Sequence, residues 1–370
     1  MKKTISLAIC LMIFCQSALA GDKEVLHQAY TLVADNYIDK INLSSLFAPS
    51  FSSLKKIDRK LNVMLEKNAI TVYYNGKIVK VYSRPQDERN AKEWANHSAY
   101  LLEELKKISP KLKHKDFELV EFMLYHGMQG MDKNSHYYPT LEMGQKTEKI
   151  QGYKSSLLDG DILYIRLGTI NDYTLEQFQQ TLQQQTSVKG VVLDLRGNKG
   201  GYLKQALEVA DSFLNDRYVM FTVGKDKCKR RRYRMSDGVD IDLVPMVVLV
   251  DGKTASSAEV IALILKEQGR AKIVGAQTYG KNSVQNIYAM DNGGYLALTS
   301  ERFYSPRGIP VEDVGLRPNI CSEVFDTDSN IDELLDYPYN FACQKLSRNS
   351  PFDLDVALRV LSREIANKKQ

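Results

Sequence analysis

From about residue 161 the chain alternates β-branched runs with amphipathic ones, and this alternation narrows the fold more than any other feature. Strand-like runs fall at 161–167, 190–195, 218–223, 245–250, 271–275, 285–290 and 294–299. Between them 174–185, 202–214 and 256–268 carry helical spacing. In the second of these, Leu203, Ala206, Leu207, Ala210, Phe213 and Leu214 share one face. Such a pattern predicts an α/β core, with a last helix expected over 353–368. Ahead of the core, residues 22–135 read as mainly helical and rich in charge, with helical spacing in 27–38 and 118–131. Within them 69–83 predicts a hairpin, because Asn75-Gly76 suits a type I′ turn. Residues 132–139 form a turn-rich boundary.

The first twenty residues stand apart from the fold. Lys2 and Lys3 precede a short apolar run, and Ala18-Leu19-Ala20 ends it in a small-x-small pattern. This predicts a secretory signal cleaved near Ala20 and an exported chain, periplasmic or secreted. Phe14 before Cys15 does not suit a lipoprotein site, and no other stretch approaches a membrane span, so no stable membrane anchor is expected. Cleavage removes two lysines and no acids, taking the formal charge from +5 to +3, too mild to argue for nucleic acid. Cys228, Cys321 and Cys343 then remain, and an odd count in an oxidising compartment leaves a thiol unpaired.

Histidine placement limits the chemistry. His27, His97, His114, His126 and His136 all precede the core, so a Ser-His-Asp triad within it is ruled out, and no zinc-binding spacing is present. GAQTYGKN (275–282) imitates a phosphate loop, but Asn282 stands where a hydroxyl should reach Mg²⁺ and a strand follows. Ser53-Leu54-Lys55-Lys56 fits the S-x-x-K of penicillin-recognising enzymes, but Ser236-Asp237-Gly238 and Lys253-Thr254-Ala255 miss that family's other boxes. The stretch KTASSAEV (253–260) has two readings. In one, Ser256 caps a helix and Glu259 completes a capping box. In the other, a serine at a strand-to-helix turn lies beside N–H groups able to hold an oxyanion. It then needs a base, and Lys281 is the candidate, with Gln285 able to orient its amine. A lysine in water, with a pKa of about 10.4, is a poor base, but burial favours the neutral amine. Gly200-Gly201 in DLRGNKGGYL (194–203) reads as a tight turn or as a source of oxyanion donors.

DLRGNKGG, VVLVDGKTASSAEVIA, RAKIVGAQTYGKNSVQ and LALTSERFYSPRGIPVEDVGLRPN, in that order, resemble the C-terminal processing (tail-specific) serine peptidases over roughly residues 160–320. The resemblance implies a mixed-sheet α/β peptidase core of ClpP/crotonase-like type behind a mainly helical N-terminal domain. Taken with the leader, it divides the chain into a signal peptide at 1–20, a mainly helical domain at 21–140 whose hairpin is this chain's own addition, the core at 141–325 and a helical segment at 326–370. It places the nucleophile on Ser256, the base on Lys281 and the assisting amide on Gln285. Oxyanion donors fall on the Gly200-Gly201 pair, Gly201 foremost, and on the Ser257 amide, with Glu259 and Thr278 in support. No metal and no cofactor is implied. The partners are protein or peptide substrates, while an activating partner protein and a homo-oligomer stay open.

The chain departs from the family pattern in places. Ser257 replaces the usual alanine and Asn282 the usual glycine. Only about twenty residues separate HYYP from DILYIRL, too few for the PDZ domain that family members carry there. The basic run KDKCKRRRYR (225–234) reads as a solvated face or as an electropositive rim for acidic substrates, with Cys228 inside it.

Overall fold

Val191, Val192 and Leu193 follow one another along a strand and all are buried, which requires cover on both faces. The strand is β7 (Gly190–Asp194), inside a sheet ordered β14-β11-β10-β7-β6-β5. Its neighbours are β5 (Tyr153–Leu158), β6 (Ile162–Leu167), β10 (Met246–Val250), β11 (Lys272–Gly275) and β14 (Ile320–Cys321). All pairings are parallel except the antiparallel edge of β5 on β6. Pleating sends Val191, Leu193, Val248, Val250 and Ile273 to one face. There they meet α5 (Asp172–Gln184), α6 (Leu203–Asp211) and α7 (Ser257–Glu267), through side chains such as Phe178, Ala210 and Ile261. Val192, Val247, Leu249 and Val274 face the other way, onto Val356, Val360 and Leu361 of α8 (Asp353–Asn367). Helices on both faces of a mostly parallel sheet are the architecture that the alternation predicts.

This computed structural model describes residues 21–113, 117–139, 152–185, 187–215, 217–236, 244–310, 315–322 and 350–368. The N-terminal leader, His114 and Cys343 lie outside them. Among the described residues no helix is long and apolar enough to cross a membrane. The chain divides into two units. One holds residues up to Asp35, Ile41–Thr140 and Ile287–Ala297; the other holds Asn36–Lys40, Leu141–Asn286 and Leu298 onward.

The first unit contains α1 (Asp22–Asn36), α2 (Ser44–Ser52), α3 (Ala91–Ile108) and α4 (Phe117–Gln129). It also holds the sheet β1 (Leu61–Leu65), β2 (Ala69–Tyr74) and β3 (Lys77–Ser83). Asn75 and Gly76 join β2 to β3 with φ of 51° and 76°, the left-handed pair that a type I′ turn needs. Ser53 is buried, and its hydroxyl donates to the Ser50 carbonyl at 2.6 Å, so the S-x-x-K stretch is a helix end and not a site. Of the histidines, His27, His97, His126 and His136 belong to this unit. The boundary segment forms β4 (His136–Tyr138), paired with Tyr295–Ala297.

In the second unit a further sheet runs β12 (Ser283–Ala289), β13 (Tyr295–Tyr304), β8 (Tyr218–Val223), β9 (Arg230–Arg234), with residues 287–297 assigned to the first unit. Cys321 is disulfide-bonded, whereas Cys228 is free and exposed.

A buried ion cluster fastens α8 to the core. Arg196 grips Asp194 with Nε at 2.9 Å from Oδ1 and Nη2 at 2.6 Å from Oδ2, and its Nη1 lies 3.1 Å from Asp353 Oδ2. Burial alone would raise the Asp194 pKa, but the Arg196 hydrogen bonds and charge outweigh it and hold it low. Asp194 therefore stabilises the fold at neutral pH, and that contribution is lost as pH falls. At Asp353 burial wins, and its carboxyl is raised. Arg196→Leu takes the ion-pair partner from Asp353 and leaves Asp194 only Arg166 among the described residues, at 3.7 Å, an expected loss of about 3–5 kcal/mol. Urea unfolding at neutral pH measures it, and an unchanged midpoint would refute this role for Arg196.

Candidate active site

Strands β7, β10 and β11 are neighbours and parallel, so the turns that follow them meet at one sheet edge. Carboxyl ends of parallel strands are where such sheets build sites. The sheet order puts KTASSAEV, after β10, between the glycine turn after β7 and the lysine turn after β11.

Ser256 ends the central turn with φ 57° and ψ −126°, a conformation costly for a residue with a side chain. It is partly exposed, whereas Ser257 is only 3% exposed. The Ser257 hydroxyl has no hydrogen-bond partner among the described residues. The two serines thus differ in access.

Glu259 explains how the strained turn is held. It lies one helical turn into α7 and is fully buried. Its Oε2 accepts the backbone N–H of Ser256 and that of Lys281, both at 2.9 Å. Its Oε1 accepts the Thr278 hydroxyl and the Gly280 N–H, the latter at 2.7 Å. One carboxylate therefore ties the serine turn to the lysine turn. Burial pushes the Glu259 pKa up, and the Thr278 hydroxyl with the three amide donors only partly offsets that. Thr278 is itself fixed, since its hydroxyl also accepts the Leu316 N–H at 2.7 Å. Lys281 and Gln285 are half-buried, and Lys281 Nζ donates to Gln285 Oε1 at 3.2 Å.

The glycine pair divides its tasks. Gly200 N–H donates to Asn198 Oδ1 at 2.8 Å, so this amide is engaged within its own turn. Gly201 N–H meets no acceptor among the described residues, and neither does the Ser257 N–H at the start of α7. Gly200 matters by its missing side chain. A Cβ there would lie 2.9 Å from Ser256 Cβ and 3.0 Å from Ser257 N.

Three residues that sequence reasoning passed over complete the frame. Asp251 Oδ1 accepts the N–H groups of Gly197 at 3.0 Å and Thr254 at 2.9 Å, joining the glycine turn to the serine turn. Thr254 is buried, and its hydroxyl donates to the Leu195 carbonyl at 2.9 Å. Asn198 accepts the Ala255 N–H on its carbonyl at 2.9 Å and donates its side-chain amide to Leu167 O at 2.9 Å. The visible signals were the D-x-x-T of Asp251 to Thr254 and the Asn in GNKGG, both common turn chemistry and so inconspicuous.

Residues 161–322 match the family model of peptidase family S41. A carboxy-terminal-processing protease of Bartonella bacilliformis is 37% identical over 172 residues, 45% of this chain and 40% of that protein. A chloroplastic C-terminal processing peptidase of Tetradesmus obliquus is 35% identical over 170 residues, 45% of this chain and 36% of its own length. The match thus spans about two fifths of these relatives. A lipoprotein structure from Streptococcus agalactiae superposes with TM-score 0.59 at 15% identity, covering 94% of this chain and 98% of that one, a likeness of fold.

Proposed function

We propose that this chain, which carries a peptidase family S41 domain over residues 161–322, is a serine endopeptidase that cleaves protein substrates through a Ser256–Lys281 dyad. The observation that carries the reading is the single Glu259 oxygen that holds both Ser256 and Lys281 by their backbone amides. In the forward step Lys281 Nζ, as the neutral amine, takes the Ser256 proton while Oγ bonds to the peptide carbonyl carbon. The carbonyl oxygen becomes an oxyanion facing the open Gly201 and Ser257 N–H groups. Collapse of this intermediate breaks the C–N bond, and Lys281 gives its proton to the leaving amine. Water then attacks the acyl-serine with Lys281 again as base, and Ser256 is restored. Gln285, accepting from Lys281 Nζ, orients the amine.

Export through residues 1–20 belongs to the same proposal. The disulfide at Cys321 supports it, since such bonds persist in oxidising compartments.

A fluorophosphonate probe is expected to label the protein once, at Ser256, with no label on Ser256→Ala. Lys281→Met should lose label and slow cleavage of an unfolded model protein by at least about a hundredfold, the contribution of a positioned base. Undiminished turnover in either variant would exclude the dyad.

A further inference from the structure

The basic run resolves into an edge. After β8 the chain turns through Lys225–Lys229 and returns as β9, antiparallel to β8 and the last strand of its sheet. Among the described residues nothing pairs with the outer edge of β9. Its residues Arg230, Arg231 and Arg232 are exposed and form no ion pair among the described residues, whereas nearby Lys227 is bound to Asp39 at 3.1 Å and Lys229 to Asp226 at 3.4 Å. Aromatic rings hold two of these arginines in place. Arg230 lies over Phe221, 4.8 Å from its centroid, and Arg231 over Tyr233 at 5.4 Å.

We propose that the free edge of β9 is a docking strand for an acidic polypeptide segment, which joins the sheet in extended form. Strand pairing alternates side chains, so Arg230 and Arg232 reach one face of the sheet and Arg231 the other. A duplex or a bilayer would meet one face only, but a strand laid along the edge meets both. Acidic side chains at successive positions of that strand stand opposite the arginines as cross-strand pairs. A second copy of the same edge is excluded by charge, because arginine would face arginine. The backbone groups that the Arg230 to Arg232 stretch turns outward provide the ladder, and the arginines select the sign of the partner. This inference stands apart from the chemistry assigned to Ser256.

The test is made in the full Ser256→Ala chain, where binding is read whether or not that serine is a nucleophile. A short fluorescein-labelled peptide of Glu and Thr is titrated by anisotropy. Its Gln counterpart, an isomer of equal charge broken by prolines, and a single-stranded oligonucleotide are compared. The acidic peptide is expected to bind, weakening about tenfold in Arg230→Ser/Arg231→Ser/Arg232→Ser and on the change to the proline isomer. Arg232→Glu, at a side chain outside the core, should weaken it as well and guards against misfolding of the triple variant. Equal binding of the proline isomer, tighter binding of the oligonucleotide, or no binding of the acidic peptide would each overturn the proposal.

Discussion

Glu259→Gln is expected to lower kcat by roughly a hundredfold while KM stays near the parent value. The carboxylate accepts four hydrogen bonds, two on each oxygen. Glutamine has one acceptor oxygen, and its NH₂ must face either the Ser256 and Lys281 amides or the Thr278 and Gly280 side. In the first orientation both turns lose their anchor, and a displacement of about 1 Å at a reacting group costs about 10² in rate. In the second, the Gly280 N–H is left buried and unpaired. Each such donor costs about 1–3 kcal/mol, so the urea midpoint should also fall. Because burial raises the Glu259 pKa, its protonated form favours folding, and that contribution fades as pH rises through the raised value. Holding the charged form at neutral pH therefore costs stability, which fits a group retained for placement. A folded variant with parent kcat would show that Glu259 does not position the dyad.

The residues differ in how plainly the sequence showed them. Strands β7 and β10 were legible because burial on both faces makes their centres unbroken apolar runs, and β11 from the buried Ile273 and Val274. Helices α5 to α7 were legible from one apolar face each. Strands β5 and β9 were not read as strands, because YKSSLL and RRRYR are mostly exposed edges whose side chains report solvent and not the ladder. At the site, Ser256 and Lys281 could be named from ordered motifs, with resemblance supplying their roles. The hydrogen bonds around Glu259 and Asp251 could not, since they join turns distant in sequence that only the parallel strand order makes adjacent. The positive φ of Ser256 was likewise hidden, because S-x-x-E reads equally well as an unstrained cap.

The glycine pair carries the second large effect. Gly201→Ala should destabilise the second unit by about 2–6 kcal/mol, combining an unfavourable backbone region with overpacking. Gly201 has φ 157°, and a Cβ on it would stand 1.9 Å from the Ile170 carbonyl oxygen. That oxygen cannot withdraw freely. It accepts the Tyr202 N–H at 3.0 Å, while the Ile170 N–H donates to Gly200 O at 3.2 Å. Relief would have to break this bridge and move the one glycine amide left open for an oxyanion. Gly200→Ala acts elsewhere, since its methyl would press on Ser256 Cβ and Ser257 N. It should reduce turnover more than its loss of stability explains, whereas Gly201→Ala should lose both together. Urea midpoints set beside kcat for the two variants separate these effects. A Gly201→Ala protein with parent midpoint and parent turnover would mean that the bridge to Ile170 yields readily, and the close approach would then have no part in shaping the site.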